Sequence, residues 1–291
     1  MVLLEGLTGK AALTGAAVLS AERSNSKAIF TMKFISYNVN GIRAALKKGF
    51  LEWLEATDPD VIGLQETKAT QDQVPAEAIG QLEALGYHHV WHSAEKKGYS
   101  GVATFSKQVP DLVQTGCGIE RFDCEGRVLR TDFGDLSFVN VYFPSGSSGD
   151  LRQEVKYDFL ENMQAYATEL RRERPHVIFV GDYNIAHTEH DIHNPKGLAK
   201  SSGFLPEERQ WMSDWLAAGF YDAYRLAHPD AREVYSWWSY RAGARQRNKG
   251  WRIDYQCVTE GLRDQVIDVQ HHKEVLHSDH AAVEMELDWG E

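Results

Sequence analysis

Cysteine is scarce in this chain of 291 residues. Its three, Cys117, Cys124 and Cys257, are too few for a disulfide framework and lack the spacing of zinc ligands. That scarcity sets the expectation of a reducing, cytoplasmic compartment. Long hydrophobic runs are missing too, so no segment reads as a membrane span. No linker and no repeat divides 32–291, which points to one domain there. Net positive charge is also absent: the formal charge is −11, and taken globally that argues against a nucleic-acid partner.

Global charge conceals local clusters. Between 241 and 252 stand Arg241, Arg245, Arg247, Lys249 and Arg252 with no acid among them. Arg43, Lys47 and Lys48 make a second basic group and Lys96-Lys97 a third. Such patches are what phosphate binding requires. The first 31 residues differ from the rest. Residues 11–19 are rich in Ala, Gly and Leu, and 20–27 are polar. A secretory signal would place basic residues before the apolar part, where Glu5 stands instead. The expectation is a weakly structured extension over 1–31, ahead of Met32.

The richest stretch is Val177-Ile178-Phe179-Val180 followed by Gly181-Asp182-Tyr183-Asn184. A wholly apolar, β-branched-rich run bounded by Gly reads as a buried strand. Asp182 and Asn184 follow two residues apart, on one face if the backbone stays extended. Elsewhere, 34–38, 61–64, 101–106, 127–131, 136–142, 252–258 and 281–287 read as strands. Residues 50–57 read as a helix. So do 151–174, with Val155, Phe159, Met163, Ala167 and Leu170 as its core face. Residues 185–204 read as a loop, and Pro206 opens a further helix with Trp211, Trp215 and Leu216 as its buried face.

Many of these strands end in chemistry. Asn38, Glu66, Tyr142, Asp182, Asn184, Asp254, Asp279 and His280 all stand at or beside strand ends, where α/β proteins build sites on a rigid base. One such residue alone is more often a surface carboxylate or a turn amide; the repetition is what argues for a site. Carboxylates and amides are hard oxygen donors suited to magnesium or manganese. Glu66, with Asn38 or Asp279 nearby, supplies the one or two carboxylates magnesium usually takes. His187, His190 and His193, spaced by three, offer a competing zinc reading, which Asn194-Pro195 weakens by favouring a loop.

In order along the chain come Ser36-Tyr37-Asn38-Val39-Asn40-Gly41-Ile42-Arg43, Leu64-Gln65-Glu66-Thr67-Lys68 and Val141-Tyr142-Phe143-Pro144. Gly181-Asp182-Tyr183-Asn184-Ile185-Ala186, Gly250-Trp251-Arg252-Ile253-Asp254-Tyr255 and Ser278-Asp279-His280 follow. Together they resemble the exodeoxyribonuclease III type of apurinic/apyrimidinic endonuclease, within the endonuclease/exonuclease/phosphatase superfamily. The resemblance spans about 32–287 and takes in Asn194-Pro195-Lys196-Gly197.

The resemblance implies a four-layer αββα sandwich, two facing and mostly antiparallel sheets flanked by helices. It implies magnesium-dependent cleavage of DNA 5′ to abasic sites, with manganese as a possible substitute, and 3′-to-5′ exonuclease and 3′-end-cleaning activity. The partner is double-stranded DNA with abasic sites or blocked 3′ ends; no membrane is involved, and the protein is expected to be a monomer. Carried over by position, Asn38, Glu66 and Asp279 hold or orient the metal. Asp182 activates water with Asn184, and Tyr142 and His280, the latter oriented by Asp254, bind the scissile phosphate. Trp237, Trp251 and Ile253 match an apolar pocket for a flipped-out abasic sugar. Arg43, Lys68, Tyr99 and Arg241 match DNA-contacting positions.

The loop 145–149, Leu198 and Ser201 depart from some relatives, which bears on the balance of activities. Two other readings fit motifs of this kind. One is a catalytically inactive RNA-acting regulator resembling the catabolite repression control protein; the other is another enzyme of the same superfamily, acting on phospholipid or inositol phosphate. The intact Asp182, Asn184 and Asp279 argue against the first, and the 194–197 and 251–254 segments against the second.

Overall fold

The computed structural model describes residues 31–289. Its strands are β1 (Thr31–Asn38), β2 (Val61–Gln65), β3 (His88–His92), β4 (Val102–Ser106), β5 (Leu112–Thr115) and β6 (Val128–Phe133). They continue with β7 (Leu136–Tyr142), β8 (His176–Asp182), β9 (Phe220–Asp222), β10 (Asp254–Thr259), β11 (Val266–His272) and β12 (Ala282–Asp288). Two six-stranded sheets result, ordered β11-β12-β1-β2-β4-β3 and β5-β6-β7-β8-β10-β9. Each contains one parallel pair, β1 with β2 and β7 with β8, among antiparallel neighbours. The expected extension 1–31 lies outside the described residues apart from Thr31, which opens β1.

Strand β8 shows why the layers stack as they do. Its side chains alternate between faces, and both faces are covered. Val177 and Phe179 pack outward against the helices Asp150–Glu173 and Pro206–Ala217, while Ile178 and Val180 pack inward against Phe34, Val283 and Met285 of the other sheet. A strand buried on both sides must be apolar throughout, which is why this run stands out in the sequence. The helices Phe50–Thr57 and Ala76–Ala84 cover the outer face of the first sheet through Leu54 and Leu82. The resemblance implied this four-layer sandwich, and it is what forms. Polar side chains staple the sheets across the dry interior: Gln65 Nε2 donates to Asn140 Oδ1 at 2.8 Å, and Asn140 Nδ2 to the Ala103 carbonyl at 2.8 Å.

Gly181 is obligatory for the end of β8. A Cβ there would lie 1.8 Å from the Val141 carbonyl oxygen, and its φ is +148°. Two expectations are corrected. The buried face of Pro206–Ala217 is Glu208, Met212 and Trp215; Trp211 and Leu216 are only partly buried at its rim. A charged residue takes a core position because it is paired, as described below. The 185–204 stretch is not bare loop: it holds a 3₁₀ turn at Glu189–Asp191 and a short helix at Pro195–Leu198. Asn194 caps that helix by accepting from Gly197 N at 3.2 Å, with Pro195 at its first position.

The basic stretch 241–252 is also less uniform than its composition suggests. Arg252 is buried, donating from Nε to Asp191 Oδ1 at 2.8 Å and from a terminal nitrogen to Asp222 Oδ2 at 2.7 Å. It is a core ion pair, not a phosphate contact. Arg225 reaches the same Asp191 oxygen at 2.6 Å. Burial alone would raise the Asp191 carboxyl, but the Arg252 and Arg225 guanidiniums hold it well below the usual carboxylate range. A depressed carboxyl contributes stability that is complete above the unfolded value of about 4 and is lost as pH falls towards the folded value. The protein should therefore lose stability on acidification below about pH 4. Arg252→Met should cost about 3–5 kcal/mol at neutral pH by leaving the buried Asp222 without its cation and Asp191 with Arg225 alone, and should lose less than the parent over the acid range. Thermal unfolding across pH checks both; an unchanged neutral melting temperature would dismiss the network as a stabiliser.

Candidate active site

Strand register brings the polar strand ends together. Tyr142 and Asp254 both lie opposite Asp182, from β7 and β10, while Asn38 lies opposite Gln65, the residue before Glu66. Glu66 and Asn184 adopt left-handed backbone, at φ 50° and 54°, uncommon for residues with a Cβ. Each thereby departs from the strand it follows. Asn38 Nδ2 donates to Glu66 Oε1 and to Asp182 Oδ2, both at 2.9 Å. Its own Oδ1 accepts from Asn40 N at 3.0 Å. Asn38 thus bridges the two carboxylates across the two sheets.

Asp182 is buried, and the backbone N–H of Asn184 donates to its Oδ1 at 2.8 Å. Asn184 Nδ2 donates to Asp182 Oδ2 at 3.2 Å and to the Phe143 carbonyl at 3.0 Å. Asp254 accepts from His280 Nδ1 at 2.9 Å, which leaves Nε2 facing Asp182 Oδ2 at 3.9 Å. Among the described residues, the group of carboxylates and imidazole close enough to share one ion is Glu66, Asp182 and His280, with ligating atoms within 4.8 Å of one another.

The electrostatics separates these groups. Burial pushes the Asp182 carboxyl up, and the negative charges of Asp254 and Glu66 push it further, against the opposing pull of His280. Burial would also lower Glu66's ease of ionising, yet Lys68, 2.7 Å away, and the Asn38 amide hold its carboxyl below the ordinary value. His280 is raised despite its burial, because Asp254 clasps it and Asp182 faces it. Paired carboxylates with proton affinities driven apart suit different tasks: Glu66 stays anionic, while Asp182 takes a proton readily. Tyr142 is raised by burial and by Glu66 and Asp182, so its phenol stays protonated and can donate.

Asp279 stands one step away. Asn40 Nδ2 donates to its Oδ1 at 2.8 Å and Trp237 Nε1 to its Oδ2 at 3.0 Å. Lys68 Nζ joins Glu66 to the side-chain oxygen of Asn40, so a polar chain runs from Glu66 through Asn40 to Asp279. Above these residues opens a cleft of about 710 Å³ that includes Glu66, Tyr142, Asp182 and His280 in its lining. Trp237, Trp251 and Ile253 form an apolar wall, with the two indole rings edge-on at 6.3 Å. Trp238, by contrast, is buried core.

The remaining sequence-predicted contacts lie outside that cleft. Arg43 and Lys68 line an adjoining groove of about 470 Å³ with Lys47. Arg241 is exposed, as are Arg247 and Lys249, whereas Arg245 is engaged by the Lys273, Val275 and Ser278 carbonyls. Tyr99 is reached from Tyr142 through a residue that sequence reasoning missed. Arg127 is buried, its guanidinium 4.7 Å from the centre of the Tyr142 ring, and it donates to the Tyr99 hydroxyl at 2.9 Å. Asn40 and Ser236 were missed too; the Ser236 hydroxyl accepts from the backbone of Ile253 and Asp254 at 3.0 and 3.1 Å. Ser236 carried no strand-end signal; Arg127, which opens the 127–131 strand, and Asn40, two residues past the 34–38 strand, stood beside strand ends and were passed over. The zinc reading finds no support: His187 meets Ser213 and His193 meets the Gly250 carbonyl, and neither belongs to the metal-capable group.

The model of the Endonuclease/Exonuclease/phosphatase family matches residues 35–280. An exodeoxyribonuclease of Bacillus subtilis (strain 168) is 45% identical over 255 residues, covering 87% of this chain and 98% of its own length. A DNA-(apurinic or apyrimidinic site) endonuclease of Dictyostelium discoideum is 38% identical over 261 residues, covering 88% of this chain and 71% of its own. A solved 3′ phosphatase from Neisseria, bound to product DNA hairpin, superimposes with a TM-score of 0.81 at 31% identity, covering 89% of this chain and 100% of that one.

Proposed function

The chain belongs to the Endonuclease/Exonuclease/phosphatase family, and from that membership we propose that it cleaves DNA 5′ to abasic sites and trims 3′ ends in DNA repair. It is a phosphodiester hydrolase of the exodeoxyribonuclease and AP endonuclease kind. The observation that carries the finer reading is the Glu66–Asp182–His280 group beneath the Trp237–Trp251 wall of one cleft. An apolar pocket of this kind suits a flipped-out sugar that has lost its base.

The donors fit magnesium. Glu66 is an anionic hard oxygen ligand at the cleft, and Asp182 and Asp279 stand near it, which matches an ion that takes one or two carboxylates and leaves its other positions to water and phosphate. Bound there, magnesium would supply charge neutralisation at the phosphoryl group; manganese offers similar ligand preferences.

The chain's own residues account for the rest. Asp182 accepts a proton from the attacking water, held in place by Asn38 and Asn184. The water oxygen forms the new bond to phosphorus, the bond to the 3′ oxygen breaks, and water protonates that oxygen as it leaves. Protonated His280, fixed by Asp254, and the Tyr142 phenol donate to the phosphoryl oxygens, where negative charge grows in the transition state. Arg43, Lys68, Tyr99 and Arg241 contact the duplex on either side. The reading takes the protein to act as a monomer, in the cytoplasm, as the free thiols suggest.

Incubation with abasic duplex, intact blunt duplex and 3′-phosphate ends tests this. A magnesium-dependent nick at the abasic site, abolished by chelator and restored by added magnesium, is expected. Binding without cleavage would favour the RNA-acting regulator, and a nick that survives chelation would remove the metal from the reading.

A further inference from the structure

One buried ion pair beside the site has no part in that mechanism. Lys156, from the helix Asp150–Glu173, and Glu208, from the helix Pro206–Ala217, are both fully buried, with Nζ 2.5 Å from Oε1. Taking two charges out of water is costly, and such a pair is weak evidence of stabilisation for its own sake. What it holds is more telling. Lys156 Nζ also donates to the carbonyl of Asn184 at 2.8 Å. Glu208 Oε2 accepts from the backbone N–H of Gly203 at 2.6 Å and of Leu205 at 3.0 Å. Oε1 accepts from Gln153 Nε2 at 3.0 Å as well. Gly203, Leu205 and Gln153 all line the cleft, and the Gly203 carbonyl accepts from Ala186 N at 2.7 Å.

Asn184 needs such a hold. Its left-handed backbone, at φ 54°, is sparsely populated for a residue with a Cβ and persists only where the surroundings over-determine it. Its amide ends, N and Nδ2, are directed at Asp182. Its carbonyl, on the other side, finds a buried ammonium whose position Glu208 sets.

We propose that Lys156 is a positioning residue for the reaction: by gripping the Asn184 carbonyl from behind, it keeps Asn184 aimed at Asp182. Glu208 anchors Lys156 and ties the 203–205 wall of the cleft to the same point. The proposal rests on the roles given above to Asp182 and Asn184.

Two variants separate this role from a structural one. Glu208→Gln keeps an acceptor for the two backbone N–H groups but turns its NH2 toward Lys156, so it removes the anchor of Lys156 while the 203–205 wall stays bonded. It should lower kcat about tenfold with KM unchanged, the scale of a small misplacement, and its melting temperature must be read beside it because it leaves one buried charge unpaired. Lys156→Met/Glu208→Gln removes both charges at similar volume, which a core tolerates far better than one unpaired charge. It should stay folded, with its melting temperature and its affinity for abasic duplex in chelator close to the parent's. Its kcat should fall on the order of ten- to a hundredfold, the scale of a small misplacement at a reacting centre, with KM unchanged.

A folded paired variant with parental kcat would overturn the proposal and leave the pair a structural staple. If the paired variant does not fold, Glu208→Gln still decides: a folded variant with kcat within about threefold of the parent would overturn the proposal, because the wall stays bonded and only the anchor of Lys156 is lost. Asp182→Asn in the same assay separates the two levels. Full activity in that variant would fell the functional reading itself, whereas its inactivity beside a fully active paired variant fells only the role of Lys156.

Discussion

Asp182→Asn should leave a folded protein whose cleavage of abasic duplex is reduced about 10²–10⁴-fold, the range a positioned general base contributes. Asparagine has the same shape, but its one carbonyl oxygen keeps either the bond from the Asn184 backbone or those from the Asn38 and Asn184 amides, and it cannot accept a proton from water. The sign of the stability effect is a second test. The native state holds a proton on Asp182 more tightly than the unfolded chain does, because burial and the charges of Asp254 and Glu66 disfavour its anion. Above the unfolded value of about 4, ionisation of this carboxyl therefore costs stability, and the cost grows as pH rises towards the folded value. A neutral isostere removes it. In chelator near neutral pH, Asp182→Asn should melt no lower than the parent, and by preference higher. Variants that lose activity by unfolding would melt lower; near-parental turnover would take Asp182 out of the mechanism.

His280→Asn is expected to lower turnover by about 10²–10³-fold, the usual cost of removing one donor aimed at developing charge. Asp254 holds His280 Nδ1 at 2.9 Å and keeps the imidazolium charged, so the variant removes a cation from the phosphoryl site as well as a hydrogen bond. The substitution also leaves Asp254 without its partner, so folding must be checked by melting temperature. The loss should fall on kcat, because His280 is buried beneath the cleft while the exposed cations Arg43 and Arg241 are placed to hold the duplex. A rise in KM at constant kcat would instead make His280 a binding residue.

How much of this is legible in the chain alone depends on what each residue interacts with. The β8 run is plain because both its faces are buried, and the helix Asp150–Glu173 because its apolar positions recur at helical spacing. Strands β3, β5, β9 and β11 escape sequence reasoning. All four lie at sheet edges. There β3, β5 and β11 carry exposed or half-buried residues, such as those of Leu112–Thr115, so the usual alternation is weak. The buried face of Pro206–Ala217 is misread because a Glu occupies a core position that only Lys156, fifty-two residues earlier, makes tolerable.

The linear chain already tells which chemical groups are available and roughly where they stand: acids, amides, a Tyr and a His at the ends of strands, in the order that marks the family. Local propensity and motif are properties of neighbouring residues, so they survive in a linear reading. How those groups are divided among tasks is set by packing. Asn38 bridges two carboxylates, one of them 144 residues distant; Arg252 is withdrawn into the core while Arg241 stays exposed; and Lys156 stands behind Asn184. Burial, proton affinity and hydrogen-bond partners are set by what the packed sheets bring within a few ångströms, and no residue carries that information alone.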